Sequence, residues 1–232
     1  MSRLLIAHGS PDPRHHEAMQ RIATATEDLS GIATHVAYLD RDQPSVVNAL
    51  APASNEHDAA EPVDALGLFL SDGYHARVDV PEVLIAAAQR VDITDHGTLG
   101  MGSWVFPALA RGLSDVGIDV GDPRTGVVLM AVGSSRPEAR DEVVGLASTW
   151  QRERGGPVRA AFASGPGPTL DEALSMLTDA GCVKRSVALL MLAPGVLADR
   201  VIDGAQSLAV PVAKPLAGAP EVIERIIGLT AA

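Results

Sequence analysis

The chain of 232 residues is 47% hydrophobic and 20% charged, enough for one large α/β domain or two small ones with buried cores, which excludes a disordered chain. Its 18 Lys and Arg against 29 Asp and Glu leave a net charge of −11; that balance repels phosphate backbones, and with no basic block or aromatic stripe to offset it, nucleic acid is excluded as a partner. No apolar run approaches the roughly 20 residues that span a bilayer, and the first residues lack a signal-peptide core, so a cytoplasmic protein without membrane contact is expected.

In chain order, a short buried strand is expected over residues 3–7; it stops at His8 and is followed at once by Gly9, Ser10 and a proline-punctuated turn. Ala18, Ile22, Ala25 and Leu29 recur at helical spacing and predict a helix over 15–29 with that face inward. His15 and His16, where this helix begins, read as surface residues. A strand over 34–39, a short helix opened by Pro44 and Ser45, a loop-like tract over 49–62 and a buried strand over 65–70 come next. Helices are expected over 80–90 and 104–116, and the glycine-rich TDHGTLGMGSW of residues 94–104 reads as a loop that carries His96. Strands alternating with helices point to parallel βαβ units. The single cysteine, Cys182, cannot form an internal disulfide and reads as a small buried thiol.

After a linker-like GDPRTG at residues 121–126, the pattern starts again. VVLMAVGSSRP overlays LLIAHGSPDPR, with Gly133 on Gly9, Ser134 on Ser10 and Pro137 on Pro13. RAAFASGPGPTLDEAL overlays HVAYLDRDQPSVVNAL, and MLAPGVLADR overlays FLSDGYHARV with Gly195 on Gly73. Matches in the same order along both halves predict a tandem duplication: two α/β domains, residues 1–120 and 121–232, each a small parallel sheet flanked by helices.

The overlay also shows what the second copy lost. His8 corresponds to Val132, His75 to Leu197 and Asp40 to Ser164. An imidazole replaced by an apolar residue at the same strand end is not needed for folding. In an open parallel sheet the carboxyl ends of the strands form the ligand crevice, so His8, Asp40 and His75 are expected to converge there. Two neutral imidazoles and a carboxylate suit Fe, Co, Ni or Zn, and three ligands leave positions open for a metal that must react or be handed on. The second half is expected to be a silent structural copy that closes the cleft from the opposite side, giving a single-site monomer.

With the AHGS turn, the YLD segment before Pro44 and the FLSDGYH segment in view, the chain resembles the sirohydrochlorin chelatases, the class II chelatases of siroheme and cobalamin synthesis, in their long two-repeat form. The resemblance implies a lyase that inserts a divalent metal into sirohydrochlorin as two pyrrole protons leave, with Fe2+ the first choice of metal substrate, Co2+ the second, and Ni2+ within reach of the same donors. It implies His8 and His75 as the active-site histidines and metal ligands. Asp40 stands where some members carry a glutamate, and Ser71-Asp72 stand where members more often carry small residues or proline. A histidine whose ordinary pKa is near ~6.5 can hold the metal and take a proton around neutral pH. Sirohydrochlorin is a polycarboxylate, so Ser10, Arg14 and Arg77 are candidates for binding it; Gly73 is expected to supply a backbone geometry that a side chain would obstruct.

Other readings are weaker. Ala7 stands where a phosphohistidine phosphatase needs arginine, and Ser10 lacks the G-x-S-x-G elbow of a hydrolase. No G-x-G-x-x-G spacing points to a dinucleotide, so no nucleotide cofactor is expected. A non-catalytic carrier of metal or tetrapyrrole shares every site residue with the chelatase and differs from it only in turnover.

Overall fold

Near-continuous apolar runs make strands buried on both faces, the signature of parallel sheets covered by helices. The structure is a computed structural model and describes residues 1–50, 62–71, 73, 75–88 and 91–231, apart from the side chains of His75 and Ala76. It places β1 at Ser2–Ala7, α1 at Pro13–Ser30, β2 at Thr34–Tyr38, α2 at Val46–Leu50 and β3 at Val63–Gly67. A π-helical turn, His75–Asp79, runs directly into α3, Val80–Ala87, and β4 follows at Ile93–Thr98. Beyond α4 (Val105–Asp115) come β5 (Thr125–Ala131), α5 (Pro137–Arg154), β6 (Val158–Phe162), α6 (Leu170–Asp179), β7 (Lys184–Leu190), α7 (Val196–Ser207) and α8 (Pro220–Leu229).

The first sheet has the order β2-β1-β3-β4 and the second β6-β5-β7, all pairs parallel. The duplicated α/β architecture is therefore present. Each copy puts its first strand in the centre, where Leu4 and Ile6, or Val128 and Met130, lie wholly inside. Fully burying such side chains stabilises by about 1.5–3 kcal/mol each.

Contacts divide the chain into one unit of Met1–Gly100 with Val222–Ala232 and a second of Met101–Glu221. The expected boundary between residues 120 and 121 follows the sequence repeat; the contacts instead assign α4 to the second unit and nearly all of α8 to the first. In the first unit, Arg3 is buried at 1% exposure. It donates to Thr230 Oγ1 at 2.7 Å, to Ser30 Oγ at 3.1 Å and to Thr34 Oγ1 at 3.2 Å. Arg225 also donates to the Leu99 carbonyl at 3.2 Å.

Several local expectations are corrected. The buried face of α1 is Ala18, Met19, Ile22, Ala23 and Thr26; Ala25 is exposed and Leu29 is 65% exposed. Both stripes share Ala18 and Ile22, and only packing on the sheet selects the second. The third strand starts and ends earlier than expected, and the helix expected from residue 80 is preceded by the π-turn. TDHGTLGMGSW is not all loop, because its first residues belong to the edge strand β4. His96 lies on that strand and donates from Nε2 to Asp64 Oδ1 at 2.8 Å. Most of the 49–62 tract lies outside the described residues. Among the described residues no helix is long and apolar enough to cross a membrane.

Candidate functional site

The site begins where β1 and β2 end. The Leu39 N–H donates to the Ala7 carbonyl and the Asp40 N–H to the His8 carbonyl, both at 3.0 Å, so the parallel ladder continues through both candidate ligands. Gly9 has φ +91°, and a Cβ built there would stand 1.8 Å from the Asp40 carbonyl oxygen. Only glycine lets the two chains approach this closely. The second copy repeats the joint. Ala163 donates to Ala131 and Ser164 to Val132, both at 2.9 Å, while a Cβ on Gly133, φ +101°, would come within 1.9 Å of the Ser164 carbonyl oxygen. The backbones match, so what separates the copies here is the side chains they carry.

His8, Leu39, Asp40, Asp79, Glu82 and Val83 line a pocket of about 470 Å3. His8 is half-buried, and its Nδ1 lies 3.1 Å from the Gly9 carbonyl oxygen. A carbonyl can only accept, so Nδ1 is the donor in this contact. Asp40 is exposed; its Oδ1 accepts from the Arg41 N–H at 2.8 Å and its Oδ2 lies 3.3 Å from Arg41 Nε.

His75 opens the π-turn that leads to Asp79, but its side chain lies outside the described residues. Among the described residues no three His, Cys, Asp or Glu side chains stand close enough together to hold a metal ion. His8 and Asp40 are thus brought to one pocket, and His75 begins the turn whose last residue, Asp79, also lines it.

The candidate polycarboxylate-binding residues are placed less distinctively. Ser10 Oγ accepts from the Asp12 N–H at 3.2 Å, as Ser134 Oγ accepts from the Arg136 N–H at 3.1 Å, so both copies use this serine to shape the turn. Arg14 is ion-paired with Asp12, the residue that caps α1, with Nε 3.0 Å from Oδ1. Arg77 is exposed, and its N–H donates to the Gly73 carbonyl at 3.2 Å. Among the described residues, a Cβ at Gly73 would meet Ser71 Oγ at 3.8 Å, an ordinary contact. A steric need for glycine is present at Gly9.

Sequence reading missed two groups. His15 and His16 are half-buried rather than surface residues: His16 stacks on Tyr38 with ring centroids 5.4 Å apart and donates from Nδ1 to Asp42 Oδ1 at 3.1 Å. The buried Nδ1 of His15 has no hydrogen-bond partner among the described residues. Burial lowers the pKa of His15, with Asp42 opposing. Burial also pushes the Tyr38 phenol up to about 12. The second group is the pocket pair Asp79 and Glu82. Extending the overlay of FLSDGYHARV on MLAPGVLADR by a few residues would have found them, since it sets Val201 and Gly204 in their places.

Comparison with known proteins adds the following. The family model described as CbiX matches residues 2–116 and, a second time, residues 126–226. The sirohydrochlorin ferrochelatase of Bacillus subtilis (strain 168) is 25% identical over 215 residues, 88% of this chain and 79% of that protein. SirB from Bacillus subtilis with Fe3+ superposes with a TM-score of 0.82 at 19% identity, covering 100% of this chain and 96% of that one. SirB from Bacillus subtilis subspecies spizizenii in complex with cobalt gives 0.79 at 18% identity, covering 100% and 94%. At those identities the two structures speak for the fold alone.

Proposed function

The chain belongs to the CbiX family, both copies of the repeat included, and from that membership we propose that it is a sirohydrochlorin chelatase. It takes a divalent metal ion and the free tetrapyrrole as substrates and releases the metallated macrocycle and two protons. One observation carries the assignment of the site: two superposable strand-end joints, one bearing His8 and Asp40 and the other Val132 and Ser164. The fold keeps both joints, so the imidazole and carboxylate of the first are there for chemistry.

In this reading, the Nδ1–H of His8 is committed to the Gly9 carbonyl, and Nε2 is the nitrogen proposed to act. That nitrogen holds the incoming ion or accepts a pyrrole proton, and His75 takes the complementary role from the π-turn. The two roles are not divided further. Asp40 contributes charge toward the cation. Ser10, Arg14, Arg77 and Gly73 remain the proposed contacts to the substrate carboxylates. Iron is the proposed metal, as the name of the Bacillus relative favours it; cobalt, present in one similar structure, is second. The protein is proposed to act as a cytoplasmic monomer with one site, the second copy being catalytically silent, and size-exclusion chromatography with light scattering tests the monomer.

The decisive experiment follows sirohydrochlorin absorbance with Fe2+, Co2+ and Ni2+ in turn, for the parent chain, His8→Ala and His75→Ala. Many equivalents are expected to be metallated by the parent, with a loss of about 100-fold or more in each variant. Stoichiometric binding without turnover would make the protein a carrier instead. Insertion at the parental rate by both variants would overturn the site.

A further inference from the structure

The second copy lost polar groups at the carboxyl ends of its strands; at their amino ends it gained cations. Glu27 of the first copy corresponds to Gln151, and the two side chains meet equivalent backbone groups: Glu27 Oε2 accepts from the Thr34 N–H at 3.0 Å, and Gln151 Oε1 from the Val158 N–H at 3.1 Å. At the same offset Ser30 corresponds to Arg154 and His35 to Arg159. The sheet registers pair Arg3 with Asp64 and Val127 with Ser186, which sets Asp64 on Ser186 and Val63 on Arg185. Across Arg3, Glu27, Ser30, His35, Val63 and Asp64 the net charge is −1, and across their counterparts it is +3. Two carboxylates are thus gone where three guanidiniums have arrived, in a chain whose overall charge is −11.

Arg154, Arg159 and Arg185 are all half-buried. Arg154 is occupied by the fold, donating to the carbonyls of Val120, Asp122, Thr125 and Pro157. The other two hold less. Among the described residues Arg159 donates through Nη1, to Gln151 Oε1 at 2.7 Å and the Val158 carbonyl at 2.9 Å, and Arg185 through Nη1 to Thr178 Oγ1 at 3.0 Å; neither has a carboxylate partner there. A guanidinium taken partly out of water without a counterion is unfavourable, so an anion from solution is favoured beside it. In the parallel register Arg159 stands beside Val128 and Arg185 beside Gly126, so both stems leave one face of the second sheet, about 12 Å apart. Two long side chains can close that gap around one ion. Cys182 reaches the same face, since a Cβ built on Gly126 would stand 2.7 Å from its Sγ. Burial raises the thiol pKa and Arg159, Arg154 and Arg185 oppose the shift, so a single point feels all three cations.

We propose that this amino end of the second sheet binds a multivalent oxyanion, phosphoryl or polycarboxylate, through the remaining N–H groups of Arg159 and Arg185 in the field of Arg154. Guanidinium forks match the paired oxygens of either group. The site stands independently of the chelatase reading, and it gives the catalytically silent copy a ligand of its own.

The test titrates the full-length chain with inorganic phosphate and with citrate, by calorimetry and by thermal melts, against sodium chloride at equal ionic strength. The parent is expected to bind a single oxyanion and to melt higher with it than in chloride; the arm that binds more tightly identifies phosphoryl or carboxylate as the recognised group. Arg159→Gln and Arg185→Gln should each weaken binding about tenfold, and together abolish it. Gln151→Glu supplies the first copy's carboxylate without removing a cation. It should lose the oxyanion response and melt higher than the parent in chloride, which keeps the test decisive even if an arginine variant fails to fold. Arg200→Gln, which removes a charge from an exposed position on α7, controls for net charge, and circular dichroism checks folding. Parental melts that do not distinguish phosphate or citrate from chloride, binding retained in Gln151→Glu or in the folded double variant, or an equal loss in Arg200→Gln would each overturn the site.

Discussion

The Asp40 N–H donates to the His8 carbonyl oxygen at 3.0 Å, so the candidate imidazole and carboxylate hang from adjoining strand ends locked by one backbone bond. Gly9 permits that bond. Gly9→Ala is expected to cost about 3 kcal/mol, since it combines an unfavourable φ with a backbone clash. Gly133→Ala meets the same clash in the second copy and is expected to cost as much. Thermal melts should fall similarly for both, while metal binding to the folded protein should fail only for Gly9→Ala. Equal retention of binding would detach the joint from the site.

Asp40 is expected to act through charge. Asp40→Asn and Asp40→Ser, the latter installing the copy's residue, should each raise the half-saturating metal concentration about tenfold, whereas Asp40→Glu should stay near the parent. Arg41→Ala removes the guanidinium 3.3 Å from the carboxylate; because the pair is exposed, the metal requirement should ease by no more than a few-fold. Metal titrations of the insertion rate check all four. A parental metal dependence in Asp40→Asn would reduce Asp40 to its backbone bond.

His15 is expected to make folding sensitive to acid. Burial holds its pKa below the ordinary value, so below about pH 6.5 the unfolded chain takes up a proton that the folded chain does not. Stability from this group is therefore full above that pH and declines as pH falls through the window down to the lowered folded value. Melting temperatures at pH 7.5, 6.5 and 5.5 should drop more steeply for the parent than for His15→Gln; parallel curves would remove His15 as the cause.

Arg3 faces Asp64 across β1 and β3, both buried. Arg3→Met removes the guanidinium beside the buried carboxylate, leaving His96 bonded to it, and should destabilise by about 3–5 kcal/mol. Arg3→Met combined with Asp64→Leu should recover part of that loss, because removing both charges ends the desolvation cost. Urea melts of the single and double variants decide it, and a double variant no better than the single would show that the hydrogen bonds to Thr230, Ser30 and Thr34 dominate.

The repeat made the architecture legible. Buried parallel strands leave uninterrupted apolar runs, and the paired losses at His8 and Asp40 pointed to two strand ends that line one pocket. Other features leave no such mark. The polar residues of β4 are tolerated because an edge strand is paired on one side only, so ITDHGT resembles a loop in sequence. Ala25 and Leu29 are as apolar as Met19 and Ala23, and the choice between those faces is made by the sheet they pack against. The turn at His75–Asp79 differs from an α-helix by one hydrogen-bond step, which residue spacing does not encode. Asp79 and Glu82 went unread because charged residues near a helix start have an ordinary explanation in the helix dipole.

The bond from Arg3 to Thr230 joins residues 227 positions apart. At ribosomal rates of about 5–20 residues per second, the segment synthesised first waits on the order of ten seconds or more for the helix that completes it. During that interval its sheet is sheltered by fewer partners than in the finished molecule, while the Met101–Glu221 unit has all its own parts once residue 221 emerges. The half bearing the proposed site is thus the later to mature, and a nonsense codon in the final dozen positions would damage the beginning of the protein more than the stretch just before it.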